Sequence, residues 1–396
     1  MANVTQLKHL EHLEDEMLNY GVEGCVASVN FLKELRKMLG CDNSTGFMQT
    51  KWDGAPSVVC GTDPLNGMFF VGTKSVFAKN SKACYSDVDV DLYYEGDLAE
   101  KLKYSLKYFS TLGIKGIVQG DLLFTTDVKR ETVNGEKLFT FTPNTITYGI
   151  PVDHPIGVAT GKAKIGVVFH THYRGSDFQT MQAVAGAKVK GSIEVLSVDN
   201  DTPMDRVGLN HAEELLFDKH VGNIEKMCAE SGDFLDELTT LSGTAGDAKW
   251  HVSSYLKQFF NSQIKNQKTI SNTTQALEDL TNFYHSKVKP LADKIKTPKT
   301  QVAKKKLIYD SENYLINNAV KFKAMLGLYK EIQEIKQFVI NKLDKLETFK
   351  TFVQTDTGYK VTGPEGYVLH KDGDMIKFVN RLEFSYNNFT VAKKWR

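Results

Sequence analysis

The sequence predicts an α+β protein: a core of antiparallel sheets, an N-terminal helical cap and a large all-α insertion. Three observations carry this. Short β-rich runs punctuated by Gly, Asn, Asp and Pro fill residues 47–198, the texture of a mixed, largely antiparallel sheet. From about Asp205 to Thr348 the apolar residues recur instead at i, i+3 and i+4, the period of a helix face. The strand texture returns at Thr351, which is simplest if the helices interrupt one β-rich domain. The expected units are a cap at 1–40, a first part of the core at 41–204, an insertion at 205–350 and a completing part at 351–396.

The elements follow in order. Leu7, Leu10, Leu13 and Met17 sit at helical spacing after Thr5, a suitable N-cap, and Gly21 ends that helix. A second helix covers Val26 to Leu39. SVVCG, GMFFVGT, GIVQGDLLF, KLFTFTP, TITYGI and KIGVVFHTHY read as strands, with an amphipathic helix from Leu98 to Leu112 among them. WHVSSYLKQFFNSQI, TQALEDLTNFYHSKVKPLADKI and AMLGLYKEIQEIKQFVINKLDKL each present one apolar face. FVQTDTGYKVTGPEGYVLHKDGDMIKFVN closes the core with further strands.

Composition narrows the class. The chain has 396 residues, 41% hydrophobic and 24% charged, as expected of a soluble globular protein of two or three domains. No apolar run approaches the ~20 residues of a membrane span, and MANVTQLKHLEHLED has no apolar signal-peptide core. The five cysteines (Cys25, Cys41, Cys60, Cys84, Cys228) are scattered, odd in number and never in a C-x-x-C pair. That argues against a disulfide framework or zinc module and points to a reducing cytoplasm. The net charge is +1, but residues 251–350 hold 18 Lys against 9 Asp and Glu, while residues 1–250 carry −10. A basic segment on an otherwise acidic chain suggests a polyanionic partner, although salt-bridged surface helices give the same count.

Lys51-Trp52-Asp53-Gly54 follows a strand-like FMQT and precedes a turn at Ala55-Pro56. Alone it reads as an exposed lysine before a turn. Four further segments stand behind it in a telling order: Gly120-Asp121-Leu122, Lys164-Ile-Gly-Val-Val-Phe169, Glu365-Gly366-Tyr367-Val368 and Met375-Ile376-Lys377. In this order they resemble motifs I, III, IIIa, IV and V of the covalent nucleotidyltransferases, the ATP-dependent RNA and DNA ligases and capping enzymes. The phage-type RNA ligases are the most similar. The resemblance covers roughly 41–200 and 351–390 and implies a nucleotidyltransferase (adenylation) core.

It also implies roles. Lys51 would form a lysyl-nucleotide from ATP, and Asp53, Gly54, Lys74, Asp121, Phe169, Glu365 and Lys377 would bind the nucleotide. Phe169 would stack on the base unless it is a core aromatic, and Glu365 and Asp121 would hold Mg²⁺. The chain departs from the pattern at Asp121, where the family has Glu, at Met375, where it has Lys, and at Lys74, where it has Arg. Motifs IIIa and IV are normally close, and here the helices separate them. About 20 residues follow Lys377, too few for the OB domain that grips nucleic acid in DNA ligases.

The implied function is ligation of a polynucleotide, RNA foremost, in end joining or repair. Transfer to a protein or small molecule, or nucleic-acid binding without turnover, are the alternatives. The chemistry suits the residue types. A free lysine amine titrates near 10.4 and is a poor nucleophile while protonated; burial and the neighbouring cations Lys74 and Lys377 would lower that value. Asp53, two residues along a strand from Lys51, would share its face and receive a ribose or substrate end, and Gly54 would permit a tight turn. Lys304, Lys305 and Lys306 form a run suited to phosphate contacts, with Tyr309 and Tyr314 nearby for base stacking. Other candidates are weaker. His170 and His172 share a strand face without a third zinc ligand nearby, and His9 and His12, with Glu11 and Asp15, read as a solvated helix face. No phosphate-binding P-loop is present.

Overall fold

A computed structural model describes residues 10–40, 42–239, 246–346, 349–356 and 358–386. The expected helix onset at Thr5, Leu7 and His9 lies outside them. After a 3-10 turn at Leu13–Asp15, helix α1 (Glu16–Leu39) is interrupted at Gly21, whose φ of 58 and ψ of −129 are non-helical. The glycine breaks the helix as its type predicts, yet the chain resumes helical form at once rather than at Val26.

The core then runs β1 (Phe47–Lys51), β2 (Ser57–Thr62), β3 (Phe69–Gly72), α2 (Asp87–Tyr93), α3 (Gly96–Phe109) and β4 (Ile117–Phe124). It continues through β5 (Lys129–Val133), β6 (Glu136–Phe141), β7 (Thr147–Pro151), α4 (Pro155–Thr160), β8 (Ile165–Arg174), β9 (Gln182–Ala185) and β10 (Val195–Ser197). Five helices follow: α5 (His211–Leu238), α6 (Ala248–Lys265), α7 (Thr273–Asp293), α8 (Pro298–Asn317) and α9 (Ala319–Leu343). The chain returns to strands with β11 (Lys350–Thr355), β12 (Gly358–Val361), β13 (Gly366–Lys371) and β14 (Asp374–Phe378).

The strands form three sheets, ordered β1-β13-β14, β10-β8-β4-β2-β3 with β9 also on β8, and β12-β11-β7-β6-β5. Among the described strands only β8 and β10 pair in parallel, so the expected antiparallel character holds. The insertion is closed by long-range pairing: β11 rejoins β7, and β13 rejoins β1.

Packing groups the units differently from the sequence boundaries. One apolar core contains Leu32 and Leu35 of α1, Phe217, Phe259, Tyr284 and Leu326 of the inserted helices, and Met48, Leu369 and Ile376 of the three-stranded sheet. The N-terminal cap and the insertion thus share one core, and the sheet ending at Lys51 rests on it. A second core lies under α3 and a third around Trp52. Cys25 of α1 and Cys228 of α5 form a disulfide, with Cα atoms 6.3 Å apart. The sequence spoke against a disulfide framework and gave no hint of this single bridge: the partners are 203 residues apart, and the contact of α1 with α5 brings them together. Cys60 and Cys84 are buried and free, and Cys41 lies outside the described residues. Among the described residues no helix is long and apolar enough to cross a membrane.

Candidate active site

Strand β1 ends at Lys51, which pairs with Gly366 of β13. Gly366 has a φ of 142, and an added Cβ would lie 2.3 Å from the Phe378 carbonyl oxygen, so the strand crossing excludes a side chain there. Glu365, the preceding residue, is thereby set beside the end of β1. Its Oε1 lies 2.5 Å from Lys51 Nζ. Two segments 314 positions apart in sequence meet as an amine–carboxylate pair.

The environment of the pair is uneven. The Lys51 side chain is 30% exposed and that of Glu365 10%. Glu365 Oε2 is buried and has no hydrogen-bond partner. Burial raises the Glu365 pKa, Lys51 opposes the rise, and the negative charges of Asp53 and Asp121 add to it, leaving the carboxyl at about 7. For Lys51 burial acts downward, but Glu365, Asp121 and Asp53 outweigh it and the pKa ends above its ordinary value. This corrects the expected depression. In the resting site the dominant neighbours of the amine are carboxylates, so the proton is held and not released.

Asp121 enters from β4. Gly54 lies against it: a Cβ on Gly54 would come within 2.7 Å of Asp121 Cβ and 3.0 Å of the Leu122 oxygen. Gly54 is therefore needed for close approach, and not for a left-handed turn. Opposite Asp121, β8 carries a bulge, since Gln119 faces Thr171 while Gly120 faces Phe169, skipping His170. The extra residue re-aims its side chain, and His170 Nε2 lies 3.5 Å from Asp121 Oδ1. Burial alone would raise the Asp121 pKa, but His170, Lys51 and Ser57 hold it below the usual carboxylate value. His170 is thus a neighbour of Asp121; the sequence offered it only as a weak zinc candidate with His172, because a one-residue bulge leaves no signal in the pattern.

Several expected residues are placed elsewhere or act differently. Asp53 is buried and committed to structure. Its carboxylate accepts from Asn144 Nδ2, Thr145 N and Ile146 N, each at 2.8 Å, and its own N–H donates to the Tyr148 hydroxyl at 2.6 Å. It clamps the β6–β7 loop, with Oδ2 taken by two backbone N–H groups and Oδ1 by the Asn144 amide. Trp52 packs between Tyr148 and Phe349, ring centroids 4.6 and 4.3 Å away. Phe169 is 2% exposed and meets Phe109 edge-on in the core under α3, which favours its core role over base stacking. It borders a cavity of about 360 Å³ shared with Lys188 and Lys190. Lys74 is exposed on the 3-10 turn after β3.

Lys377 is better placed. The register Gln49↔Val368↔Lys377 puts it on the same face of the three-stranded sheet as Lys51. Burial lowers its pKa, Glu11 opposes the fall, and the charge of Lys51 adds to it. Its backbone N–H donates to the Glu11 oxygen at 3.1 Å, and His12 bridges to Lys377 in parallel. The N-terminal segment therefore extends the sheet beyond β14. Leu13, Glu14 and Asp15 are buried, which corrects the solvated-face reading of His12 and Asp15. Lys336 Nζ lies 2.6 Å from both Glu14 oxygens. Arg381 donates to Asp15 at 3.0 Å, Tyr329 at 3.0 Å and Asn261 at 2.7 Å. This ionic network joins the insertion to the sheet directly behind the site.

The lysine run on α8 is not a single patch. Consecutive helix residues turn by ~100°. Lys304 faces inward with Nζ 2.7 Å from His251 Nε2, Lys305 lies 3.9 Å from Asp293, and Lys306 lies 2.6 Å from Asp310. Tyr309 is exposed at 64%, whereas Tyr314 packs on Phe322 and reaches Glu237.

In sum of charge, one amine faces the carboxylates Glu365 and Asp121, both hard oxygen donors, and Glu365 has an oxygen to spare. That donor set could hold Mg²⁺. The family described as "Family of unknown function (DUF6267)" matches residues 3–393, and the chain belongs to it. No curated protein and no solved structure matches the chain.

Proposed function

We propose that this member of a family of unknown function is an ATP-dependent polynucleotide ligase working through a lysyl-AMP at Lys51. The observation that supports it most is the Lys51–Glu365 pair at 2.5 Å, with Glu365 Oε2 buried and unpartnered. A structural ion pair needs neither a spare buried oxygen nor a second carboxylate pressed against it through a glycine contact. An amine that must exchange its carboxylate for an electrophile gains from both.

Lys51, as the neutral amine, attacks the α-phosphorus of ATP. The N–P bond forms, the bond from the α-phosphorus to the bridging oxygen breaks, pyrophosphate leaves with the electron pair, and the nitrogen releases one proton to solvent. Mg²⁺ held by Glu365 and Asp121 would neutralise charge on the phosphates and weaken the hold of Glu365 on the ammonium proton. Lys377 stabilises the negative charge that builds at phosphorus. A 5′-phosphate oxygen of the acceptor then attacks the same phosphorus, the N–P bond breaks, and the departing nitrogen takes a proton from solvent to regenerate Lys51. A 3′-hydroxyl closes the strand with loss of AMP. The excess of +9 over residues 251–350 supports a polyanionic acceptor, with Lys305 and Lys306 exposed and Lys304 turned inward.

The test is intact mass after incubation with each nucleoside triphosphate or NAD and Mg²⁺. ATP should add one AMP to the native chain and nothing to Lys51→Ala. A native chain that stays unmodified with every donor, or an adduct that persists in Lys51→Ala, would sink the reading. Labelled 5′-phosphorylated RNA, DNA and protein acceptors then separate ligation from transfer elsewhere.

A further inference from the structure

His12 is the least explained group near Lys51. The segment His12-Leu13-Glu14-Asp15 is tucked behind the site, and its charges nearly all cancel. Glu14 takes Lys336, while Arg381 takes Asp15 and also reaches Glu14 at 3.4 Å. Two groups are left over. Among the described residues no carboxylate lies within ion-pair distance of the half-buried Lys377 ammonium. Beside it, joined through the backbone bridge between the two residues, His12 Nδ1 is buried without a hydrogen-bond partner.

A buried imidazole nitrogen without a partner is rare in a folded protein, and the surroundings say what could satisfy this one. Burial and the charges of Lys336, Arg381, Lys377 and Lys51 lower the His12 pKa well below its ordinary value. The ring is therefore neutral and has one N–H to donate. Four cations around it repel a metal ion and attract an anion. Three of the four are already paired, Lys336 with Glu14, Arg381 with Asp15 and Lys51 with Glu365, so the cation left to meet an anion is Lys377.

We propose that His12 and Lys377 form a phosphate subsite of the nucleotide site, His12 donating its Nδ1–H to a phosphate oxygen that Lys377 neutralises. The subsite rests on the nucleotide-transfer reading, and it gives the N-terminal segment a binding role that the core motifs do not supply. Glu14 and Asp15 act as positioning residues: buried against Lys336 and Arg381, they fix the backbone that carries the imidazole.

The probe is inorganic pyrophosphate, titrated calorimetrically into the full-length chain in metal-free buffer, with melting followed in parallel. His12→Ala should weaken binding by at least about tenfold, the loss expected for one hydrogen bond to a charged group. His12→Asn, whose side-chain N–H₂ falls near the position of Nδ1, should stay within about threefold of the native chain. Native-like binding by a folded His12→Ala overturns the subsite. So does equal loss in both variants, which would mean lost packing, or failure of the native chain to bind at all. Pyrophosphate binding that depends on His12 without any AMP adduct refutes the transfer reading and leaves the subsite standing. An adduct with His12-independent binding refutes the subsite alone.

Discussion

Replacing Lys336 with Met tests how the inserted helices are coupled to the sheet that carries Lys51. Lys336 and Glu14 are 3% and 0% exposed, and the ammonium touches both carboxylate oxygens at 2.6 Å. Met matches the length of the lysine stem but removes the charge. Glu14 would keep only Arg381, at 3.4 Å. Breaking a buried pair from one side costs about 3–5 kcal/mol. The carboxyl can instead take up a proton. From a free value near 4.3, that costs about 4 kcal/mol at pH 7 and about 1 kcal/mol at pH 5. The cheaper route sets the loss, so Lys336→Met should lose about 3–4 kcal/mol at pH 7 and about 1 kcal/mol at pH 5.

The sign follows from proton uptake: the folded variant binds a proton that the unfolded chain binds less, so its deficit shrinks as pH falls. Urea unfolding of native and variant chains at both pH values measures it. The double variant Lys336→Met/Glu14→Leu removes both charges and should recover most of the loss at pH 7. A deficit under about 1 kcal/mol at pH 7, or one independent of pH, would show that the network carries no such energy.

Two further outcomes follow from the site. Glu365→Ala should slow formation of the Lys51 adduct by at least about 10²-fold, because it removes a charge-positioning group from the transition state; quench-flow with labelled ATP measures it, and a native rate would detach Glu365 from the chemistry. Gly54→Ala should cost about 1–3 kcal/mol of stability, since its Cβ would meet Asp121 Cβ at 2.7 Å and a backbone oxygen at 3.0 Å. An unchanged urea midpoint in that variant would mean that the β1–β2 loop can draw back from β4 without loss.

What the sequence determined by itself is what depends on neighbours along the chain. The turn from alternating to 3.6-residue periodicity marked the inserted helices, and Lys51-Trp52-Asp53-Gly54 and Glu365-Gly366 were visible as candidate partners. Pairing was decided only in three dimensions. Lys51 meets Glu365 because β1 and β13 are hydrogen-bonded, a contact made across the whole insertion. The same holds for Cys25 with Cys228. Side-chain direction was also beyond the pattern. Asp53 and Lys51 lie two apart, yet the strand ends at Lys51, so the expected common face is lost and Asp53 turns to the loop at 144–146. A single bulge sends His170 to Asp121. Spacing likewise said nothing of solvent: residues 12–15 carry enough charge to read as surface, but Lys336 and Arg381 arrive from distant elements to neutralise them. Burial of charge is a property of the assembled partners, and no stretch of sequence contains them all.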